Sequence, residues 1–280
     1  MTSIWRIASL LFLKSAVARF LPEPVLRAYW SRRRRNYSFG MPTSANRIPD
    51  YDVWNADHWR DSDLQKFATR HATRDLDLPA GDYVSEIASI IATAGHPVDL
   101  VDFGGGTGSL FFALRQTRQW ISSYSIYDDT NEAFDSAFVD IDEPKMSLRP
   151  ISDFFSKIDF QDYLQTDIVI SNTTLQYLDD LSDFIFAVKR FNPRLIVLTR
   201  FLATSPEVES IVVPQHFPDG VVKCRFHNVQ LMADSLAPEY KLSRNDPILS
   251  EDLSRQVIRD FPLNLISQYS RIVIFNRSLE

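Results

Sequence analysis

Val98-Asp99-Leu100-Val101-Asp102-Phe103-Gly104-Gly105-Gly106-Thr107-Gly108 is the stretch that decides how this chain is read. It holds four of the eight glycines in 280 residues, so it marks a place where bare backbone is required. Glycine reaches positive φ without strain and lets a ligand approach the main chain. The mostly apolar run before the turn suits a buried strand. The run after it, Ser109-Leu110-Phe111-Phe112-Ala113-Leu114-Arg115, suits the opening of a helix. Strand, glycine turn and helix N-terminus together make a nucleotide-type site at the carboxyl end of a parallel strand. The spacing narrows the choice. A dinucleotide fingerprint, G-x-G-x-x-G, needs its third glycine where Ser109 stands, and Gly108 comes one residue early. No Gly-Lys-Ser/Thr follows, which excludes a phosphate-binding P-loop.

Strands and helices alternate outward from this turn. Ser123-Tyr124-Ser125-Ile126-Tyr127 reads as a second strand ending in Asp128-Asp129, and Met146-Ser147-Leu148-Arg149 as a weaker third leading to Asp153. Asp167-Ile168-Val169-Ile170-Ser171 reads as a fourth, followed by Asn172-Thr173-Thr174-Leu175-Gln176-Tyr177-Leu178. Leu181, Phe184, Ile185 and Val188 keep the spacing of one buried helix face, which predicts a helix over 179–191. Arg194-Leu195-Ile196-Val197-Leu198-Thr199 reads as a fifth strand. Upstream, Tyr83, Val84, Ile87, Ile90 and Ile91 predict a helix that Gly95 can end. This order predicts an α/β fold with a mostly parallel sheet and helices on both faces.

The pattern D-x-G-x-G-x-G over Asp102, Gly104, Gly106 and Gly108 resembles the first motif of class I S-adenosylmethionine (SAM) methyltransferases. The resemblance implies a Rossmann-like, seven-stranded sheet and SAM as cofactor. It implies that the glycine turn approaches the methionine and ribose portions, and that Asp128 holds the ribose hydroxyls. Asp153 would contact the adenine amino group, and Asn172 would end the fourth strand beside the cofactor. A narrower likeness rests on Tyr51-x-x-Trp54-x-Ala56, the Asp-Phe-Gly-Gly-Gly turn, Leu-Gln-Tyr-Leu after the fourth strand and Thr-Arg-Phe after the fifth. Together these are similar to a family of bacterial SAM-dependent methyltransferases often encoded among surface-polysaccharide genes. That likeness covers roughly residues 50 to 277, keeps a carboxylate at Asp128 where the family has glutamate, and is loose over 209–217. It implies methyl transfer to a hydroxyl or amine of a small molecule, a sugar or glycolipid precursor.

Composition sets the surroundings. A chain that is 45% hydrophobic and 24% charged is ordinary for a soluble globular protein, long enough for one α/β core and an appendage. Cys224 is the single cysteine, which excludes an internal disulfide and reads as a core thiol. The five histidines show no ligand spacing; a divalent metal bound by Asp and Asn is an alternative that nothing in the sequence requires. Residues 1–40 carry eight basic side chains against Glu23, a net +7, whereas the whole chain is −6, which leaves −13 for the rest. An acidic body argues against nucleic acid as partner, because phosphates need a basic groove. Residues 1–45 are expected to be a basic helical extension, and 46–280 a SAM-binding domain with an insertion near 201–228. The apolar stretch from Ile4 to Phe20 is too short and too charged for a span of ~20 residues, and Lys14 breaks it as a leader. Two readings stay open: packing on its own domain or a second subunit, and docking of residues 1–35 on an anionic membrane surface. The expected location is the cytoplasm, at the membrane's inner face in the second reading.

Two residues are candidates for the chemistry. Arg200 follows the fifth strand at the carboxyl edge and can hold an acidic substrate group; a surface ion pair is the alternative. His216, in the insertion expected above the site, is a candidate base for a hydroxyl; the alternative is a loop histidine without a role. His227, Gln176, Tyr177, Trp54 and Trp59 are weaker candidates, with core packing as the alternative. Two other functions remain: a non-catalytic scaffold that keeps the SAM fold, and a nucleotide-sugar oxidoreductase or epimerase. The latter needs a different glycine spacing and a Tyr-x-x-x-Lys pair, and neither is present.

Overall fold

A computed structural model describes residues 38–39, 82–106, 108–128, 145–156, 166–216, 221–247 and 266–278. Helix α1 (Asp82–Thr93) leads into β2 (Val98–Phe103), the glycine turn and a short α2 (Ser109–Ala113). Then come β3 (Ile121–Asp128), β4 (Met146–Pro150), α3 (Ile151–Phe155), β5 (Ile168–Asn172) and α4 (Ser182–Phe191). A long β6 (Leu195–Thr204) is followed by β7 (Ser210–His216), β8 (Val221–His227), α5 (Val229–Leu236), β9 (Tyr240–Pro247) and β10 (Ile266–Arg277). A two-residue β1 (Ser38–Phe39) precedes them all.

Among the described residues, the sheet has ten strands. Its central seven run β4-β3-β2-β5-β6-β10-β9, all parallel except β10, which is antiparallel to both β6 and β9. Chain order reverses between β2 and β5. The first βα units build outward through β3 and β4, and the chain then returns to lay β5 on the other side of β2. Open α/β sheets bind ligands in the crevice at such a reversal, outside the carboxyl ends of the strands. Phe103 pairs with Ser171, so Gly104 and Asn172 come off neighbouring strands at the same level.

Both faces are covered, which is why the parallel strands are apolar nearly throughout. Along β2, Val101 and Phe103 face α3, α4 and α5, where Phe103, Phe154 and Phe184 pack ring to ring. Leu100 faces α1 and α2 with Ile87, Phe111 and Tyr124. By the two-residue period Asp102 lies on this second face as well.

The elements differ from the sequence expectations at their ends. The helix expected over 179–191 begins at Ser182, because Asp180 Oδ1 takes the Ser182 amide (2.9 Å) and hydroxyl (2.9 Å) and turns the chain first. It ends where Asn192 adopts φ +49. The helix opened by the glycine turn lasts five residues and tightens into a 3-10 turn over Arg115–Trp120. The insertion expected over 201–228 is in part a strand: β6 runs on to Thr204, and β7 and β8 form a hairpin that joins the sheet at the Ala203–His227 pair. Within the segment expected to be a helical extension, Ser38–Phe39 is extended and pairs with His216 and Gln215 at the edge of β7. An edge strand leaves a row of unpaired amides and carbonyls, which draws such a pairing. The remainder of residues 1–45, and Tyr51, Trp54, Trp59 and Asp129, lie outside the described residues. Among the described residues, no helix is long and apolar enough to cross a membrane.

Candidate functional site

Gly104, Gly106 and Gly108 all adopt positive φ (+72°, +54° and +71°), so the turn alternates left-handed residues that only glycine takes without strain. Each serves a different contact. Gly104 donates to the Tyr127 carbonyl at 2.7 Å, and a Cβ there would lie 2.0 Å from Thr174 Oγ1, so β2 and the end of β5 meet as closely as backbone allows. Gly108 leads into α2, and a Cβ on it would press on Ile126 and Met146 at 3.0 Å. Around Gly106, among the described residues, an added Cβ would meet nothing nearer than Asp128 Oδ2, at 4.0 Å. That same oxygen accepts the Gly106 amide at 2.5 Å, a charge-assisted bond that ties the turn to the end of β3.

Beneath the turn lies a buried carboxylate. Asp102 is 1% exposed, and its Oδ2 accepts the Tyr124 hydroxyl. Its Oδ1 is buried without a partner. Burial pushes the Asp102 carboxyl up to about 7; the Tyr124 hydrogen bond opposes this, and the charge of Asp128 adds to it. Burial and the same carboxylate also push the Tyr124 phenol up. A Cβ on Gly105 would lie 2.4 Å from Asp102 Oδ2, so this acid presses on the underside of the turn. Asp102, expected from the sequence among the cofactor contacts, lies buried directly beneath the loop.

On the other side of the reversal, β5 ends in a polar knot. Asn172 Oδ1 accepts the Thr199 hydroxyl at 3.0 Å and lies 3.3 Å from Thr173 Oγ1. Thr173 has φ +67, a left-handed conformation that costs a β-branched residue about 1–2 kcal/mol. Thr174 Oγ1 lies 3.2 Å from the Gly104 carbonyl and 3.3 Å from that of Asn172, so its one proton is shared across the seam. Ser171 is buried, and its hydroxyl lacks a partner. Asp153 sits in the first turn of α3, half-buried, directly past β4.

The hairpin closes over this edge. Tyr177, in the 3-10 turn Leu175–Tyr177, donates to Gln215 Oε1 at 3.0 Å, which holds β7 above the turn that follows β5. His216 is the next residue and the last of β7; its side chain lies outside the described residues. His227 is no base. It is buried, its Nε2 is 3.0 Å from the Leu175 carbonyl, and burial lowers its pKa to about 4. Cys224 is fully buried, and burial pushes its thiol up, as a core residue requires.

Arg200 is the bulged residue of β6. Thr199 pairs with Ile272 and Phe201 with Arg271, which leaves Arg200 between them at φ +52. Its guanidinium lies over the Tyr83 ring, 4.5 Å from the centroid, in place of the surface ion pair that was its alternative. Tyr83 is also close enough to Tyr124 to act on it electrostatically. Tyr83, Tyr124, Thr174 and Ser171 were not singled out from sequence. Only the Thr-Thr pair directly after a strand carried a signal, since two β-branched residues rarely end a strand in a tight turn. Among the described residues, no group of three or more His, Cys, Asp or Glu could hold a metal ion.

No family model matches the chain, and no curated protein matches it. Solved structures similar to it include the Burkholderia thailandensis 1,6-didemethyltoxoflavin-N1-methyltransferase, at 14% identity over 86% of this chain and 100% of that one, TM-score 0.48. The magnesium protoporphyrin IX methyltransferase from Synechocystis is 15% identical over 92% of this chain and 100% of its own, TM-score 0.44. An amino pentose methyltransferase from Micromonospora echinaspora is 13% identical over 76% of this chain and 97% of its own, TM-score 0.45.

Proposed function

We propose that this chain binds SAM at the glycine turn and transfers its methyl group to a hydroxyl or amine of a small molecule, a sugar or glycolipid precursor of a surface polysaccharide. One observation carries the cofactor reading: at the sheet's chain reversal, Gly106, whose Cβ position has no closer neighbour among the described residues than Asp128 Oδ2 at 4.0 Å, is tied through its amide to that acid at the end of the next strand. A P-loop lysine is absent, and the glycine spacing is not that of a dinucleotide site. The residues fit SAM. Space above Gly106 admits a ligand against bare backbone. Asp128 accepts the Gly106 amide at the end of β3, and a carboxylate at that place suits vicinal ribose hydroxyls, which it would meet with short, charge-assisted bonds.

Bound there, SAM supplies a methyl carbon already activated by its sulfonium, so the protein's work is alignment and exclusion of water. Asp128 and the Gly104–Gly106 backbone would hold the ribose and methionine portions, and Asp153 the adenine amino group. Asn172, kept in one orientation by Thr199, would shape the wall at the end of β5. A hydroxyl acceptor must lose a proton. His216, next to the Gln215–Tyr177 hydrogen bond over this edge, is our candidate to take it. The sugar assignment rests on the sequence resemblance and on the acidic body, which suits neither RNA nor DNA.

Calorimetry on the full chain with S-adenosylhomocysteine and, separately, NAD tests the cofactor. Saturable binding of the first alone is expected, and binding of NAD alone overturns the reading. Label from methyl-labelled SAM should then pass to sugar nucleotides. Label found only in RNA or protein overturns the acceptor class.

A further inference from the structure

We propose that Arg200 selects the acceptor by binding a carboxylate or phosphate on it, so that the molecule methylated here is an anionic one. The inference rests on the methyl-transfer reading above and narrows its substrate class.

The backbone sets Arg200 apart. It is the unpaired residue of a bulge within β6, one residue past the Asn172–Thr199 pair that ends β5, in a left-handed conformation that a side chain disfavours. Such a bulge re-aims a side chain that a regular strand would send elsewhere. Here the guanidinium is laid on the Tyr83 ring, 4.5 Å from its centroid. A stacked guanidinium keeps its N–H edge for planar, bidentate recognition, which a carboxylate or phosphate satisfies best. Among the described residues, the ring meets this charge and no carboxylate pairs with it.

A cavity of about 10 Å³ between the ends of β5 and β6 is bordered by Thr173 and Arg200, both in strained left-handed conformations. The buried Ser171 hydroxyl belongs to the opposite face of the sheet from the guanidinium, since Ser171 pairs with Phe103 and Leu198.

The placement also suits an acceptor. Gly104 follows the end of β2, and Arg200 lies within β6 one residue past its last pair with β5, with β5 between the two strands. Two strand spacings are about 10 Å, the length of a small molecule whose far end is anchored while its nucleophile faces the cofactor. Within a body of strongly negative charge, a single held cation is an effective selector.

The test titrates the full chain with inorganic phosphate and with acetate at constant ionic strength, with and without saturating S-adenosylhomocysteine, reading intrinsic fluorescence. The wild type should bind phosphate saturably in the millimolar range. Arg200→Gln should weaken it at least tenfold and Arg200→Lys by several-fold, whereas Ser171→Ala, on the opposite face of the sheet, should leave it within twofold. Affinity for S-adenosylhomocysteine should stay within twofold in all three. In the labelled-methyl assay, a hexose phosphate should show a lower KM than the free hexose, and Arg200→Gln should erase that difference. No saturable phosphate binding by the wild type, or wild-type binding by Arg200→Gln, overturns the proposal. So does a tenfold loss of S-adenosylhomocysteine affinity in folded Arg200→Gln, which assigns the guanidinium to the cofactor's carboxylate. Should the wild type bind no S-adenosylhomocysteine, the methyl-transfer reading fails, while the role of Arg200 is still read in the arm without it. Unfolding midpoints identify a variant that has not folded, and Arg200→Lys and the hexose phosphate comparison then carry the test.

Discussion

Replacing Gly104 and Gly106 one at a time by alanine separates the glycine needed for packing from the glycine needed for a ligand. Both sit at positive φ, +72° and +54°, so either alanine bears about 1–2 kcal/mol of backbone strain. At Gly106 little else is added, because the nearest atom to the new methyl is Asp128 Oδ2 at 4.0 Å. At Gly104 the methyl would lie 2.0 Å from Thr174 Oγ1 and 2.5 Å from Thr174 Cβ. The threonine must move, losing its contact with the Gly104 carbonyl and adding about 1–3 kcal/mol of overpacking. The expected losses are therefore about 1–2 kcal/mol for Gly106→Ala and about 2–5 kcal/mol for Gly104→Ala. Urea unfolding at pH 7.5, with the slope compared across variants, reads these differences directly. Calorimetry with S-adenosylhomocysteine supplies the other half: Gly106→Ala should stay folded yet lose at least tenfold in affinity. Thr174→Gly added to Gly104→Ala should return part of the lost stability. Equal destabilisation by the two alanines, or wild-type affinity in Gly106→Ala, would refute the reasoning.

Three further outcomes are expected. Asp128→Ala removes a charge-assisted bond to Gly106 worth about 1.5–3 kcal/mol and should weaken S-adenosylhomocysteine binding more than tenfold in calorimetry, whereas Asp128→Glu should retain part of it. Asp102 has its pKa raised from an ordinary value near 4 to about 7, so it binds a proton on folding, and that contribution is complete at low pH and lost as pH rises from about 4 to about 7. Asp102→Asn should abolish this loss, about 4 kcal/mol across the window; urea midpoints of both proteins at several pH values check it, and a pH-independent difference between them contradicts the assignment. A chain beginning at residue 46 forfeits only the two-residue β1 pairing with β7 among the described contacts, and should fold and bind S-adenosylhomocysteine. Co-sedimentation of it and the full chain with anionic liposomes tests the +7 segment: pelleting of the full chain alone, reversed by salt, supports membrane docking, and equal behaviour leaves packing on this domain or a second copy.

Whatever depends on near neighbours along the chain is legible in the amino-acid sequence. Eight glycines with four in one turn mark the site, because positive φ at 104, 106 and 108 is a local requirement. The apolar runs of β2, β5 and the first half of β6 are legible because a strand covered on both faces is apolar at most positions. The buried faces of α1 and α4 follow from helical spacing. The position of Asp128 at the end of β3 follows from its distance from the turn, since one βα unit has a nearly constant length.

What the sequence leaves open needs partners far away along the chain. Asp102 reads as a ligand contact in its motif, and only Tyr124 and Gly105 packed around it make it a buried support with a raised pKa. The left-handed Thr173 and Arg200 run against their own preferences, and they are held there by β6, β10 and the Gly104–Thr174 seam. The insertion reads as a loop because a hairpin's hydrogen bonds are donated by strands that sequence does not pair. Backbone propensity is set by a few neighbouring residues, but burial, bulges and the charge of a carboxyl are set by whatever the fold brings against them.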